Sequence, residues 1–377
     1  MKIVVLGAGM VGSLIAKDLA RDFDVTVVDA DAARVEQLSK EANVNGLTRD
    51  LSRPEEIKNV VKDFDLVVGA LPGFLGYMML KAVIEAGKNI VDISFSPENT
   101  LELDSLAKEN KVTAIVDIGV APGISNLIVG YVDSMLDKTE NVTIFVGGLP
   151  VKRVWPYEYK FVFSPYDLID EYLRPARLVE CGKIVVKPPL SDVELVNLPK
   201  VGTLEAFNTD GLRSLLYTVK AYNMKEKTLR YPGHAEKMRM LRETGFFNKE
   251  PMDVKGVKIR PIDLTAKLLL SMLRREEDEG EFTVMRIIVE GEKDGKKMRY
   301  TYDLLDYYDE KNKETSMART TGFPCAIVAR LVANGEYINP GVNPPEYLGK
   351  KHELFKKIMD ELKKRNVSLE EKVEVLN

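Results

Sequence analysis

The chain is poor in the residues from which disulfide-rich and zinc-binding proteins are built. Its 377 residues include two cysteines, Cys181 and Cys325, and two histidines, so the sequence predicts neither a disulfide framework nor a metal site. It also lacks the run of roughly 18 apolar residues that a membrane span needs. Asp18 and Arg21 follow the glycine-interrupted apolar N-terminus too closely for a signal peptide. We therefore expect a cytoplasmic protein that does not bind membranes.

The charge balance gives no sign of a nucleic-acid surface. The chain has 54 Lys and Arg against 58 Asp and Glu, a formal net charge of -4, whereas a broad nucleic-acid surface needs an excess of basic residues. Hydrophobic residues make up 45% of the chain, and this length is enough for two domains with cores of their own. We expect a small-molecule substrate and no nucleic-acid partner.

The first third of the chain alternates short apolar runs with segments of helical spacing. The runs predict strands at 2–6, 24–28, 66–71, 89–93 and 113–118, and the segments predict helices at 10–21, 33–42, 55–62, 76–86 and 101–110. Strands that alternate with helices of about ten residues pair in parallel through right-handed crossovers. The sequence therefore predicts an α/β fold with a Rossmann-type, doubly wound parallel sheet.

The pattern changes after residue 122. Strands are predicted at 141–147, 159–163, 184–187 and 203–208, a helix at 262–275, and a hairpin of 282–290 with 298–304 around the turn Lys293-Asp294-Gly295-Lys296. Residues 123–314 thus form a separate, mixed α+β domain that is mainly antiparallel. Predicted helices at 319–333 and 350–365 return to the first domain, which then consists of residues 1–122 plus 315–377.

Three glycines after the first strand have the spacing of a dinucleotide-binding turn. The residues of this turn that should contact a cofactor are Gly7, Gly9, Met10, Val11 and Gly12. The glycines allow a tight turn, a close approach to a pyrophosphate, and close packing of helix on strand. Asp29 ends the second strand 22 positions after Gly7 (29 − 7), where a carboxylate accepts hydrogen bonds from ribose hydroxyls and repels a 2′-phosphate. NAD is the predicted cofactor, and the nearby Arg34 keeps NADP as the alternative.

Small residues and acids also stand at the ends of later strands. Ligands of such sheets bind beyond the carboxyl ends of the strands, and further cofactor contacts are expected there from Ala70, Leu71, Pro72 and Gly119. Asp92 and Asp117 end neighbouring strands and should point toward the nicotinamide, with Ser94 placed for the substrate. Each acid alone could equally cap a helix or anchor a loop. The two together favour a functional site.

The segment DIGVAPGISN, residues 117–126, lies where the last of these strands meets a helix. Other distinctive blocks, in chain order, are ALPG (70–73), VGGLP (146–150), RPAR (174–177), TLRYPGH (228–234), RTTGFP (319–324) and GVNPPE (341–346). Together these blocks resemble the saccharopine-dehydrogenase-like oxidoreductases over nearly the whole chain. The resemblance implies a Rossmann domain, an inserted mixed α+β substrate and dimerisation domain, and a homodimer or homotetramer.

Within this family, the sequence is most similar to the L-lysine 6-dehydrogenases. Saccharopine reductases usually carry an acid where Ala121 stands, and Asp-His where Ser125 and Asn126 stand. The implied reaction is NAD-dependent oxidation of the lysine ε-amine to an imine. Water converts the imine to allysine and ammonia, and allysine cyclises to piperideine-6-carboxylate. The alternatives are a saccharopine-type or carboxynorspermidine-type imine reductase and a non-catalytic NAD-binding sensor.

Such a reaction requires a base and a fixed cation. The ε-amine, with an unperturbed pKa of about 10.4, must lose a proton before hydride can leave, and the candidate bases are Asp92, Asp117 and His234. His234 could instead cap or pack against a helix. Arg213 is expected to bind the substrate α-carboxylate through two parallel hydrogen bonds, and Arg230 is the second candidate. Asn126 is a further expected substrate contact.

Overall fold

The structure is a computed structural model that describes residues 1–160, 165–276 and 279–376. Its strands are β1 (Lys2–Leu6), β2 (Asp24–Asp29), β3 (Asn45–Thr48), β4 (Leu66–Gly69), β5 (Asn89–Asp92), β6 (Thr113–Ile115), β7 (Lys138–Pro150), β8 (Ala176–Glu180), β9 (Lys183–Lys187), β10 (Glu194–Leu198), β11 (Gly202–Asn208), β12 (Asn223–Arg230), β13 (Met252–Val254), β14 (Val257–Ile259), β15 (Glu281–Lys293), β16 (Lys296–Tyr307), β17 (Gly341–Asn343) and β18 (Leu369–Leu376). Its helices are α1 (Met10–Leu19), α2 (Ala32–Glu41), α3 (Pro54–Val61), α4 (Gly73–Glu85), α5 (Asp104–Glu109), α6 (Ile124–Asp133), α7 (Pro165–Leu173), α8 (Leu215–Thr218), α9 (His234–Glu243), α10 (Pro261–Leu273), α11 (Ser316–Ala333), α12 (Pro345–Gly349) and α13 (His352–Lys364), with a 3₁₀ turn at Thr100–Leu103.

The chain divides into two compact units, and both are discontinuous. Unit 1 comprises Met1–Met135, Arg213–Val219 and Met317–Ser368, and unit 2 comprises Leu136–Leu212, Lys220–Ser316 and Leu369–Asn377. The predicted boundaries of 1–122 plus 315–377 and 123–314 need three corrections. Helix α6 belongs to unit 1 because it packs against α12, residues 213–219 also belong to unit 1, and β18 belongs to unit 2 because it pairs with β16.

Unit 1 is built on a sheet of seven parallel strands. Their order is β17-β6-β5-β4-β1-β2-β3, which confirms the prediction of a doubly wound parallel sheet. The central strands β1 and β4 carry the apolar sequences KIVVL and LVVG and are buried almost throughout, as strands covered on both faces must be. The sequence did not predict β3, which is mostly exposed, or β17, which has three residues.

Two glycines let helices α6 and α12 of unit 1 approach each other closely. A Cβ on Gly130 would lie 2.3 Å from the Glu346 carbonyl oxygen, and a Cβ on Gly349 would lie 2.0 Å from the Leu127 carbonyl oxygen. Real Cβ atoms do not approach so near, so both positions need glycine. The close packing leaves the Glu346 side chain completely buried.

Unit 2 contains a nine-stranded sheet in its described part. The main path is β10-β11-β12-β7-β15-β16-β18, β8 pairs with β12, and β9 pairs with β8. The neighbours are antiparallel except β12 and β7, which are parallel. The predicted hairpin is present, and Asp294 and Gly295 at its turn have φ of 50° and 72°, as a two-residue type I′ turn requires. The predicted strand at 159–163 falls partly outside the described residues.

Helix α10 of unit 2 has apolar side chains on two faces. Leu269 and Leu273 are buried, whereas Leu264, Leu268 and Met272, spaced four residues apart, are about half exposed. A helix that is apolar beyond its core face usually has a further surface to cover. Across the residues that the structure describes, no helix is both long and apolar enough to cross a bilayer.

Candidate functional site

The turn between β1 and α1 has the geometry that a dinucleotide requires. Gly7 has φ of 113°, and a Cβ there would lie 2.4 Å from the Ala70 carbonyl oxygen. A Cβ on Gly12 would lie 2.2 Å from the Gly7 carbonyl oxygen, whereas a Cβ on Gly9 would have no atom within 4 Å. Gly7 and Gly12 therefore serve close backbone packing, and Gly9 faces open space. Helix α1 begins at Met10 without a side-chain cap, so its N-terminus can face an anion.

Asp29 at the end of β2 is tied to this turn. Its Oδ2 accepts a hydrogen bond from the Ala8 N–H at 2.7 Å, and its Oδ1 accepts one from the Asp31 N–H at 2.9 Å. The carboxylate is half-buried beside the glycines. Arg34, because of which NADP was retained as the alternative cofactor, forms an ion pair with Asp31 at 3.2 Å. The turn thus fits a dinucleotide, which Gly9 and the α1 N-terminus would hold by its pyrophosphate and Asp29 by its ribose.

The other predicted cofactor contacts lie at the ends of β4 and β6. Ala70 touches Gly7, and Leu71 and Pro72 connect β4 to α4. Gly119 lies in a turn that closes on itself, because its N–H donates to the Pro122 carbonyl at 3.1 Å and its own carbonyl accepts from the N–H of Ile124 at 2.9 Å. A contact between Gly119 and a cofactor stays a prediction.

Asp92 is a buried acid at the end of β5 in unit 1. Its Oδ1 accepts a hydrogen bond from the Ser94 N–H at 3.0 Å, and a Cβ on Gly69 would lie 2.3 Å from the same oxygen. Burial raises the pKa of Asp92 to about 7, the nearby charge of Asp117 also raises it, and the hydrogen bond from Ser94 and the charge of Arg213 oppose the rise. Asp92 therefore changes charge near neutral pH.

Asp117 and Arg213 form a buried ion pair in unit 1. Arg213 Nε and Nη2 lie 3.3 and 3.4 Å from the two Asp117 carboxylate oxygens, and Nη2 also lies 3.4 Å from the Glu98 carbonyl oxygen. The central guanidinium carbon of Arg213 lies over the Phe95 ring, 5.0 Å from the ring centroid. Nη1 has no hydrogen-bond partner within the described chain, so it can still donate to a carboxylate.

The backbone at both members of this pair is strained. Asp117 has φ of 54° and Arg213 has φ of 53°, in the left-handed region that costs a residue with a side chain on the order of 1 kcal/mol. Such positions concentrate where the surrounding structure must aim a side chain. Two of them facing each other support a functional role for the pair.

Glu346 on α12 is a third buried acid of unit 1, and sequence reasoning missed it as a site residue. Its Oε1 lies 2.5 Å from the Thr218 hydroxyl. Burial raises the pKa of Glu346 to about 7, against its hydrogen bond with Thr218. The block GVNPPE marked a family resemblance, but nothing in its pattern indicated burial. We refer to Asp92, Asp117 and Glu346 as the acid cluster.

Ser94 and Asn126, predicted to bind substrate, are both buried in unit 1. Ser94 holds Asp92 through its backbone N–H, as described above. Asn126 lies on α6, and its Oδ1 accepts a hydrogen bond from the Ser125 hydroxyl at 2.9 Å. Substrate contacts from either side chain stay predictions.

His234 belongs to unit 2, and its surroundings disfavour the predicted role as a base. Its Nδ1 lies 3.1 Å from the Tyr157 carbonyl oxygen, which can only accept, so Nδ1 carries the proton. Nε2 then accepts from the Tyr172 hydroxyl at 2.8 Å. Burial, with the charge of Arg230, lowers the pKa of His234 to about 3. With both nitrogens engaged, the ring is a packing element at the start of α9.

Arg230, the second candidate for the substrate carboxylate, also lies in unit 2. Its Nη2 donates to Glu171 at 3.0 Å, its Nη1 donates to the Leu229 carbonyl at 2.9 Å, and its guanidinium covers the Tyr159 ring at 4.4 Å. This arginine is thus already paired with a partly buried acid. A direct contact between Arg230 and substrate stays a prediction.

Two family models match consecutive parts of the chain. The saccharopine dehydrogenase NADP binding domain matches residues 3–115, and the saccharopine dehydrogenase C-terminal domain matches residues 119–367. Alpha-aminoadipic semialdehyde synthase, mitochondrial, of Mus musculus is 25% identical over 91% of this chain, which spans 45% of that relative's length. A saccharopine dehydrogenase [NADP(+), L-glutamate-forming] of Schizosaccharomyces pombe is 23% identical over 98% of both chains.

A solved structure shares the fold over the full length. Apo saccharopine dehydrogenase (L-Glu forming) from Saccharomyces cerevisiae matches with a TM-score of 0.81 and 21% identity, covering 99% of each chain. The resemblance inferred from the short sequence blocks is thereby confirmed at the level of family and fold.

Replacing Gly9 with valine should separate cofactor binding from folding. The side chain would enter the open space above the turn, where no protein atom lies within 4 Å, so the free energy of unfolding should change by less than about 0.5 kcal/mol. Dinucleotide binding, measured by calorimetric titration, should be lost. The matched variant Gly12→Val should instead destabilise the fold, because its Cβ meets the Gly7 carbonyl. Normal dinucleotide affinity in Gly9→Val would contradict the assignment of the turn.

Proposed function

Because the chain belongs to the saccharopine dehydrogenase family, we propose that it is a nicotinamide-dependent oxidoreductase acting on an amino acid, and that it oxidises the ε-amine of L-lysine. The observation that carries the choice of substrate is the shortage of cations beside the acid cluster. Arg213 pairs with Asp117 and lies near Asp92, and Asp117 also lies near Glu346, so the one arginine beside these acids is already paired. Lysine brings two amines and one carboxylate, whereas saccharopine brings three carboxylates. One arginine among three acids suits lysine better.

Arg213 would bind the substrate α-carboxylate through Nη1. Asp117 binds Nε and Nη2 at 3.3 and 3.4 Å and so orients the guanidinium. A planar guanidinium fixed at two nitrogens directs the N–H groups of the third nitrogen at the carboxylate, which the flexible ammonium of a lysine could not do.

Asp92 would act as the base. The lysine ε-ammonium must lose a proton before its carbon can release hydride, and a carboxylate with a pKa of about 7 accepts protons near neutral pH while remaining partly ionised. A dinucleotide held at the glycine turn by its pyrophosphate would supply the hydride acceptor. Water then adds to the substrate imine, and the protonated Asp92 can return its proton as ammonia leaves. The balance is lysine, oxidised dinucleotide and water giving allysine, ammonium, reduced dinucleotide and one proton.

We propose NAD as the cofactor, although the matching domain and the relatives carry NADP in their names. The reason is Asp29, whose two oxygens lie at the end of β2 and already bind the N–H groups of Ala8 and Asp31. A fixed negative charge at this place repels a 2′-phosphate and accepts hydrogen bonds from a free ribose hydroxyl.

A saccharopine-type reaction is the alternative that the relatives' names support. The Schizosaccharomyces pombe enzyme aligns over 98% of both chains and is named for it. A non-catalytic sensor fits less well, because buried acids such as Asp92 are costly to keep unless they are used. The cytoplasmic location and the homo-oligomer remain proposals. For the oligomer we favour the exposed α10 stripe of Leu264, Leu268 and Met272 as the contact.

Turnover of lysine is the direct test. NADH formation should be seen with L-lysine and not with saccharopine or ornithine, and Arg213→Ala should raise the KM for lysine roughly 100-fold, because the charge-assisted hydrogen bonding to the carboxylate is lost. Arg213→Lys keeps the positive charge, so its KM for lysine should lie between those of the parent and of Arg213→Ala. Turnover of saccharopine with no turnover of lysine would show that lysine is not the substrate.

Asp29→Ser should change the cofactor preference. The serine can still bond a ribose hydroxyl but no longer repels phosphate, so the ratio of kcat/KM with NAD to that with NADP should fall by about tenfold or more, the equivalent of roughly 1.4 kcal/mol. Asp63→Ser, at an exposed acid of the same unit, serves as the control. An unchanged ratio in Asp29→Ser means that Asp29 does not read the ribose.

Asp92→Asn should remove the neutral limb of the pH profile, which is the rise of kcat with pH up to about pH 7. The base works only when ionised, so in the parent kcat should rise with pH up to about 7 and then level. The variant should lose this limb and lower kcat by about 10²–10⁴. A limb set by the substrate ammonium alone would lie near pH 10. If the neutral limb persists in Asp92→Asn, another group is the base.

A further inference from the structure

The segment 209–218 carries Arg213, and a buried glutamate lies on each side of it. Residues up to Leu212 belong to unit 2, and Arg213 begins the stretch that belongs to unit 1. Within unit 2, Glu226 Oε2 accepts from the Gly211 N–H at 3.1 Å. A Cβ on Gly211 would lie 2.5 Å from the Glu226 carboxyl carbon. The backbone two residues before Arg213 thus rests directly on this carboxyl group.

The hydrogen bonds around Glu226 need one more proton than the hydroxyls supply. Thr209 Oγ1 lies 2.6 Å from Glu226 Oε2 and 2.9 Å from Thr228 Oγ1, which lies 2.6 Å from Glu171 Oε1. Three oxygen–oxygen contacts need three protons, and two threonines provide two. The third must sit on a carboxyl group, either Glu171 or Glu226.

The charges around the two acids decide which one is protonated. Glu171 donates no proton because its other oxygen pairs with Arg230 at 3.0 Å, which favours the ionised form. The charged groups that act on Glu226 are Glu171 and Asp210, both acids, and Asp210 is itself paired with Arg177 at 2.7 Å. Glu226 is therefore the neutral member. The protons run from Glu226 through Thr209 and Thr228 to Glu171.

Counting the protons in the hydrogen bonds around Glu346, within unit 1, shows that this acid is neutral as well. The Thr218 hydroxyl lies 2.5 Å from Glu346 Oε1 and 3.0 Å from the Ser214 carbonyl oxygen. It has one proton for two acceptors, so both contacts are hydrogen bonds only if Glu346 donates to Thr218 and Thr218 donates to Ser214. The acid that acts on Glu346 in unit 1 is Asp117, which further disfavours its ionised form. The carbonyl held in this way belongs to the residue after Arg213.

We propose that Glu226 and Glu346 are positioning residues that hold the backbone on the two sides of Arg213 in their uncharged, proton-donating forms. Burial, the largest cause at both sites, raises the pKa of Glu226 to about 8 and that of Glu346 to about 7. The strained φ of 53° at Arg213 is then maintained by hydrogen bonds on both sides of it. The consequence for substrate binding rests on the role proposed for Arg213, whereas the protonation does not.

The protonation can be tested by stability alone. A carboxyl group whose pKa is raised on folding stabilises the fold fully at low pH, and this contribution is lost as pH rises from its ordinary pKa toward the raised one. The Tm of the parent should therefore decline between pH 5 and pH 9. In Glu226→Gln the amide nitrogen can take the place of Oε2 and donate to Thr209 at every pH, whereas the bond from the Gly211 N–H is lost, so Tm should be lower than in the parent at pH 5 and its decline toward pH 9 should be smaller.

Glu205→Gln is the matched control in the same unit. Glu205 is also buried, but its two oxygens accept from the N–H groups of Gly233 and Ala235 at 3.0 and 2.7 Å. An amide there places a donor against a donor, so Tm should fall at every pH. If the Tm of Glu226→Gln is lowered by the same amount at every pH, as is expected for Glu205→Gln, the proposal for Glu226 is wrong.

Kinetics extend the test to Glu346 and to Arg213. With lysine as substrate, KM should rise several-fold above pH 8 in the parent and stay flat in the double variant Glu226→Gln/Glu346→Gln. Thr218→Val, which breaks the link to Ser214, should raise KM at all pH values while kcat changes less. A parallel rise of KM in parent and double variant would overturn the positioning role. If lysine is not turned over at all, the stability comparison still decides the protonation.

Discussion

Arg213 and Asp117 face each other at 3.3 Å with almost no exposure to solvent, and the chemistry proposed for unit 1 depends on this pair. Taking two charges out of water costs several kcal/mol for each ion, and their attraction recovers that cost only with good geometry. The distances here are long for a guanidinium and a carboxylate, and both backbones are strained. The pair is therefore better explained by what it orients than by the stability that it adds.

The remaining acids of unit 1 follow from the same constraint. One arginine cannot neutralise Asp92, Asp117 and Glu346 together, so burial drives the pKa values of Asp92 and Glu346 to about 7. A site that holds protons near neutral pH can exchange them with an amine, whose reaction requires a proton to leave and later to return. Charge balance and proton transfer thus have a single physical origin, the scarcity of cations around buried carboxyl groups.

The glycine turn, which would hold the cofactor, depends on close backbone packing and not on buried charge. Gly7 and Gly12 are required because backbone oxygens lie within 2.5 Å of where a Cβ would be, whereas the fold does not require Gly9, which leaves open space for a cofactor. Asp29 closes the turn through hydrogen bonds to backbone N–H groups. None of these contacts depends on the acid cluster, which is why a cofactor site could be recognised before the substrate site.

Much of unit 1 could be predicted from local pattern. Strand β1 was placed at its observed bounds, the sheet type followed from strand–helix alternation, and the hairpin of β15 and β16 followed from its Asp-Gly turn. Among the candidate site residues, Asp92, Asp117 and Arg213 lie together in unit 1. The local pattern also placed His234 near a helix start, but it could not show that both ring nitrogens were already bonded.

Sequence by itself determined the periodicities, the glycine spacing and the acid at the end of β2, because each is a property of neighbours along the chain. Tertiary structure alone decided that β18 joins unit 2 and that residues 213–219 join unit 1. It also decided the roles of Glu346 and Glu226. Glu346 meets Thr218 across 128 positions, and a carboxyl group is protonated or ionised according to burial and partners that such distant contacts create.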